Sequence, residues 1–101
     1  MTDNNDVYSA LSSPVRRQVL ELLRDQAMTA GELADEVSVS KPTLSGHLNV
    51  LKAVDLVSVE RNGATLLYRI NLSVIEEALS GLMDLFKLGV PKAAVRKRKT
   101  T

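Results

Sequence analysis

The spacing of the apolar residues changes abruptly past the middle of the chain, and this change limits the folds that the chain can adopt. Up to about residue 53 the apolar positions recur at the spacing of amphipathic helices. Residues 56–60 and 65–70 are instead rich in β-branched and aromatic residues, and Asn62-Gly63 between them is a strong signal for a tight hairpin. A last helical pattern runs over residues 74–87. This order predicts a mainly α fold with a β-hairpin.

Residues that cap helices place three helix starts upstream of the hairpin. Ser13 is a typical N-cap, and Pro14 suits the first helical position because its missing N–H would be unpaired there anyway. Thr29 and Glu32 have the spacing of a capping box. Ser40 is placed to cap a third helix in the same way. Three short helices are therefore predicted before the hairpin.

The last two of these helices are joined by a tight turn at Ser38-Val39, and the hairpin follows directly after them. This arrangement is typical of a winged helix-turn-helix. In the helix over 41–53, Leu44, Leu48 and Leu51 would anchor one face to the body of the domain. The opposite face would then present small polar groups to base edges in the major groove of DNA. The candidate base-facing residues are Ser40, Lys41, Thr43, Ser45, His47 and Asn49.

Each candidate also has a plainer interpretation. Ser40 could act mainly as a helix cap, and Thr43, Ser45 and Asn49 could be ordinary solvated residues. His47 is the single histidine, so it makes a poor metal site, and the alternatives for it are DNA contact or local hydrogen bonding. Basic residues elsewhere are candidates for contact with the DNA backbone, with plain solvation as the alternative. They are Arg16, Arg17, Lys52, Arg61 and Arg69.

The net charge of +1 hides an uneven distribution along the chain. Six basic residues and no acidic residue lie from Lys87 onward, whereas residues 1–86 hold seven basic and twelve acidic residues. Basic arms of this kind often bind nucleic acid, and a solvated solubility tail is the alternative. We expect a disordered N-terminus over 1–6, a domain over 7–87 that opens with a short helical turn, and a basic C-terminal tail over 88–101.

Several classes of function are excluded or disfavoured by composition. The chain has no cysteine, which excludes disulfides, thiolate metal sites and cysteine nucleophiles. With one histidine and no glycine-rich phosphate loop, there is little from which to build a catalytic site, so neither an enzyme nor a bound cofactor is expected. No apolar run approaches the roughly 18 residues of a membrane-spanning helix. The polar N-terminus is unlike a signal peptide, and we expect a cytoplasmic protein with no membrane insertion.

Three stretches of the chain carry a resemblance to a known family. They are residues 8–20 (YSALSSPVRRQVL), residues 28–34 (MTAGELA) and residues 40–52 (SKPTLSGHLNVLK), and the strand that ends in residues 67–70 (LYRI) fits a second wing strand. Together these stretches resemble the ArsR-type winged-helix transcriptional repressors over about residues 7–86. Within that family they are most similar to the SdpR-type autorepressor branch.

The resemblance implies a homodimeric prokaryotic repressor, located at the nucleoid, that regulates its own or a neighbouring operon. It also implies that the helix over 41–53 reads DNA, that the wing meets the flanking backbone and that the terminal helices dimerise. Many family members sense metals through cysteines in a segment that here reads Glu32-Leu33-Ala34-Asp35-Glu36, or through histidines on the last helix, which has none here. A metal sensor is therefore not expected. The chain also departs from the family at position 46, where Gly46 occupies the middle of the reading helix.

The last helix supports dimerisation on its own evidence, because it carries two apolar stripes where a surface helix of a small domain needs one. One stripe would face the core and the other a second subunit, and the alternative is a helix buried within a single chain. A two-fold dimer would place two reading helices about 34 Å apart on an inverted-repeat operator. The expected interface residues are Tyr8, Leu11, Ile75, Leu79, Leu82, Met83 and Phe86.

Two further interpretations of the function remain open from the sequence. The acidic body disfavours DNA, so a winged-helix module that binds another protein is the alternative function. The second is a variant of the DNA-binding repressor, in which a protein partner controls the repressor by sequestering it.

Overall fold

A computed structural model of the chain describes residues 4–88, with side chains from Asp6 onward. It contains five helices and two antiparallel strands within this range, in the predicted order, and the expected mainly α fold with a β-hairpin is confirmed. The elements are α1 (Asn4–Ala10), α2 (Pro14–Asp25), α3 (Ala30–Val37), α4 (Lys41–Ala53), β1 (Val57–Asn62), β2 (Thr65–Ile70) and α5 (Leu72–Leu85).

The predicted caps of α2 and α3 are confirmed by their hydrogen bonds. The Oγ of Ser13 accepts from the backbone N–H of Arg16 at 3.2 Å, with Pro14 opening α2. Thr29 accepts from the N–H of Glu32 at 3.1 Å, and the Glu32 carboxylate accepts from the N–H of Thr29 at 2.9 Å, which completes the capping box before α3. These bonds satisfy amides that a helix leaves unpaired at its first turn.

The core is built from the inward faces of α2, α3 and α4 and from the base of the hairpin. Leu44, Leu48 and Leu51 of α4 are almost completely buried, as the leucine stripe predicts. The base of the hairpin is tied to the body by two backbone bonds between Tyr68 and Met28, of 2.8 and 3.1 Å. The orientation of α4 is therefore fixed by its buried inward face, and the wing is fixed by the backbone bonds at its base.

The hairpin turn lies one residue further along than the Asn62-Gly63 signal suggests. Asn62 pairs with Thr65 in the ladder, so Gly63 and Ala64 are the central residues of the turn. Gly63 has φ +67° and Ala64 has no positive φ, which is the pattern of a type II′ turn with glycine at its first central position. The strand before it correspondingly runs over Val57–Asn62 instead of 56–60.

Both terminal helices differ from the expected bounds. Helix α1 begins at Asn4, so the last three residues of the segment expected to be disordered, 1–6, are helical. Asp6 suits the first turn of a helix through the helix dipole, and the burial of Val7 and Ala10 against the core holds the helix in place. Helix α5 ends at Leu85, and apart from Leu88 the predicted tail over 88–101 lies outside the described residues.

None of the helices in the described part of the chain has the length and apolar character needed to cross a bilayer.

Candidate nucleic-acid interface

The outer surface of α4 is open to solvent over the whole length of the helix, and most of its longer side chains are polar, with Val50 as the exposed apolar exception. Opposite the buried leucines, the structure places five of the six predicted base-facing residues in exposed positions and leaves His47 half-buried. The exposed five are Ser40, Lys41, Thr43, Ser45 and Asn49. Side chains of this size and polarity, held on a rigid helix, suit readout of base edges in a major groove.

Ser40 is committed to capping α4. Its Oγ accepts from the backbone N–H of Thr43 at 3.2 Å, and its hydroxyl lies 3.0 Å from the Oγ1 of Thr43, to which it donates. The capping role that the sequence offered for Ser40 is therefore observed. The first turn of α4 begins at an exposed surface, and the positive end of the helix dipole there favours a phosphate.

Arg16 and Arg17 hold the C-terminal end of α1. Arg16 donates from Nε to the carbonyl of Ala10 at 2.7 Å and from Nη2 to the carbonyl of Ser9 at 3.3 Å. Arg17 donates from Nη1 to the carbonyl of Leu11 at 2.7 Å. Cations at this end of a helix interact favourably with its dipole. Arg16 and Arg17, two of the residues predicted to contact the DNA backbone, therefore already have partners within the chain.

Arg16 also reaches the reading helix. Its Nη1 lies 3.1 Å from the Nδ1 of His47, in a contact between α2 and α4 that spans 31 residues of sequence. The local hydrogen bonding that the sequence left open for His47 is thus observed. No spacing rule indicates this pair, because it depends on how α2 and α4 pack.

On the wing, one of the two candidate arginines is paired. Arg69 donates from Nε to Glu60 Oε1 at 2.8 Å, across the two strands, and both side chains are more than half exposed. Arg61 is exposed and lies opposite Leu66 near the tip. Lys52, the remaining candidate for backbone contact, is half-buried in the last turn of α4.

Gly46 lies on the exposed side of α4 and has no steric reason within the described chain to be glycine. A Cβ built at this position would meet nothing within 4 Å. Three other residues on the outward side, Pro42, Asn49 and Ala53, are small or short, and Val50, one turn after Gly46, is 39% exposed. The centre of the outward face is therefore low and is bordered by Val50 and by polar side chains. Sequence reasoning noticed the glycine and missed the shape of this face.

Helix α5 leaves most of its apolar surface uncovered. Ala78 is its one buried residue, and it accepts a hydrogen bond of 3.4 Å from the hydroxyl of Tyr8 on α1. Leu79 is 54% exposed and Phe86, which follows the helix, is 63% exposed. The other predicted interface residues are half-buried: Tyr8, Leu11, Ile75, Leu82 and Met83. The alternative of a helix sandwiched within one chain does not fit this exposure.

Metal ligands are not brought together in the part of the chain that the structure describes. No group of three or more histidine, aspartate or glutamate side chains there is arranged to hold an ion.

Known proteins share both the sequence pattern and the fold. A family model described as a helix-turn-helix domain matches residues 11–60. The chain is 36% identical to the transcriptional repressor SdpR of Bacillus subtilis over 85 residues, which are 84% of this chain and 94% of SdpR.

Two solved structures extend the comparison to three dimensions. An ArsR-like transcriptional regulator from Rhodococcus sp. RHA1 has a TM-score of 0.75 at 26% identity and covers 96% of this chain and 85% of its own. The homodimeric winged helix-turn-helix DNA-binding domain of a possible ArsR-family transcriptional regulator from Mycobacterium bovis has a TM-score of 0.68 at 26% identity. That likeness covers 82% of this chain and 78% of the other.

Proposed function

The chain belongs to the ArsR-type family of winged-helix transcriptional repressors, and from this membership we propose that it is a homodimeric repressor of its own or a neighbouring operon. It binds an inverted-repeat DNA operator through α4. The wing contacts the flanking backbone, and α1 and α5 join the two subunits. No metal takes part, and the protein is not an enzyme.

One observation carries this proposal: α4 is buried along one face and polar and exposed along the other. A helix that served only the core would have no need of an outward row of serine, threonine and asparagine at this density. The two flanks of the row differ. Lys41 and Lys52 bring positive charge on one side, and His47 lies towards the other side, beside Arg16. This division suits phosphate contact on the flank that carries Lys41 and Lys52, and base contact from the centre of the row towards His47.

The charge distribution predicts how much of the affinity for DNA is general attraction and how much is specific to the operator. Residues 1–86 hold more acidic than basic residues, so their attraction for DNA of arbitrary sequence is weak. We therefore expect specific contacts of α4 to supply much of the preference for the operator.

The test is selection of bound fragments from the source genome, followed by binding measurements over a range of salt concentrations. We expect an inverted repeat with half-site centres one helical turn apart, and an affinity that falls steeply with salt because phosphate contacts release counterions. Weak binding to every fragment, independent of salt, would contradict the proposal.

Two variants separate the roles of the contacts. Lys52→Ala should weaken binding to the operator and to random DNA by similar factors and reduce the salt dependence by about one ion. Ser45→Ala should weaken binding to the operator and leave random DNA almost unchanged. Equal losses on both kinds of DNA for the two variants would refute this assignment.

A sequestering protein partner and a location at the nucleoid complete the proposal. The uncovered apolar side chains of α5 give such a partner a surface to bind. Cross-linking in the source cell tests this, because a partner that binds α5 would give a cross-linked product in place of the cross-linked homodimer.

A further inference from the structure

The guanidinium of Arg16 joins the end of α1 to the reading helix. Two of its three polar contacts go to the carbonyls of Ser9 and Ala10, and the third goes to the ring of His47. Arg16 is half-buried, and the carbonyl contacts hold its head group in one orientation. The position of the third contact is therefore determined by α1 and α2, not by α4 alone.

This contact determines which nitrogen of His47 carries the proton. A guanidinium has only donors and keeps its charge, so it cannot accept a hydrogen bond from the ring. At 3.1 Å from Arg16 Nη1, the Nδ1 of His47 must therefore be the acceptor and carry no proton. In the neutral ring the proton then lies on Nε2, which becomes a hydrogen-bond donor.

We propose that Arg16 is a positioning residue that holds His47 as an Nε2–H donor, so that His47 selects an acceptor on the base edge that it meets. The inference rests on the proposed function of α4. In the major groove, guanine N7 and O6, adenine N7 and thymine O4 are acceptors, whereas the N4 amino group of cytosine is a donor. His47 held in this state therefore disfavours cytosine at the base that it contacts.

Arg17 provides a matched control within the same structural feature. It also donates to a carbonyl at the end of α1, at 2.7 Å, and the structure shows no contact between it and His47. Arg16→Gln and Arg17→Gln each remove one cationic cap from α1. Only Arg16→Gln also removes the guanidinium contact to the His47 ring. A difference between the two variants therefore reports on His47 and not on loss of the cap.

The first measurement needs no DNA. Because the chain has a single histidine, nitrogen NMR of a histidine-labelled dimer at a pH where the ring is neutral reports on one imidazole. We expect Nε2 to be protonated and Nδ1 unprotonated in the unsubstituted protein and in Arg17→Gln. In Arg16→Gln the signals should shift toward the mixture of tautomers that a solvated ring shows. A mixture in the unsubstituted protein, or no change in Arg16→Gln, would overturn the proposal.

The second measurement is the base preference at each operator position, from binding to a randomised operator library. Arg16→Gln should reduce discrimination against cytosine at one position in each half-site by about threefold to tenfold, the range for one hydrogen bond. Arg17→Gln should lower the affinity for all sequences alike. Identical preference profiles for the two variants would overturn the inference.

A double variant tests whether the two residues act together. If Arg16 acts through His47, Arg16→Gln combined with His47→Ala should lose no more discrimination than His47→Ala alone, since coupled residues are not additive. Independent, multiplying losses would show that Arg16 contacts DNA by itself. If the unsubstituted protein binds no DNA, the proposed function fails, and the NMR result still decides the state of His47.

Discussion

Replacement of Gly46 by alanine should make the protein more stable and weaken its binding to DNA. Glycine inside a helix costs roughly 1 kcal/mol relative to alanine because more backbone freedom is lost on folding. A Cβ at this position meets nothing within 4 Å, so no steric cost offsets that gain. The glycine therefore costs stability without any compensating contact in the described chain, and the substitution tests whether close approach of DNA to the helix backbone is the reason for it.

The size of both effects follows from these observations. A gain of about 1 kcal/mol raises the melting temperature of a domain of this length by roughly 4–8 °C. At the outward centre of α4, the added methyl group would lie between the helix backbone and the base edges. Forcing one extra carbon into a packed contact typically costs about 1–3 kcal/mol. This range corresponds to a loss of affinity of roughly fivefold to 150-fold for each of the two half-sites that the proposed dimer contacts.

Thermal unfolding followed by circular dichroism measures the first effect, and fluorescence anisotropy with labelled operator measures the second. Gly31→Ala on α3 is the control, because its Cβ would lie 3.9 Å from Lys41 Cε and from Thr29 Oγ1, an ordinary contact distance. It should leave the affinity near that of the parent. If Gly46→Ala is more stable and binds the operator as tightly as the parent, DNA does not approach the helix backbone closely at Gly46. If Gly46→Ala is no more stable than the parent, the space around Gly46 is not open.

Three other substitutions test the dimer, the cap and the core. Leu79→Glu, at an exposed position of α5, should give a monomer in analytical ultracentrifugation at concentrations where the parent is a dimer; an unchanged mass would exclude this face from the interface. Thr29→Ala removes the capping box and should cost about 1 kcal/mol in urea unfolding, whereas no loss would mean that Glu32 alone supports the helix start. Leu48→Ala leaves a cavity behind α4 and should cost about 2–5 kcal/mol in the same measurement, and a loss below that range would show that the core collapses around it.

The features that the sequence predicts well are local. The caps at Ser13, Thr29 and Ser40 and the leucine stripe of α4 each depend on residues within a few positions, so spacing alone is enough. The turn of the hairpin is also local, but the signal fixes only the position of the glycine. Whether Asn62 joins the strand or the turn depends on the register of the whole ladder.

The features that could not be predicted depend on packing between distant segments. The contact between Arg16 and His47 needs α2 and α4 to cross at one particular place. The burial of Leu20 has a similar cause, because α2 packs against α3, α4 and β2 together and not against a single neighbour. On the outward face of α4, the residue types suggest candidates for base contact, and only the structure shows that His47 among them lies against Arg16.

In the proposed dimer, the uncovered apolar side of α5 also determines how the occupancy of an operator responds to the amount of protein. When two chains must join before either reading helix is useful, and the chains are scarce, a doubling of the chain roughly quadruples the dimer. The response to protein concentration is then steeper than one chain could give. The concentration at which repression begins would be set by how strongly two copies of α5 hold each other, so substitutions on α5 would move that threshold without altering the sequence that α4 reads.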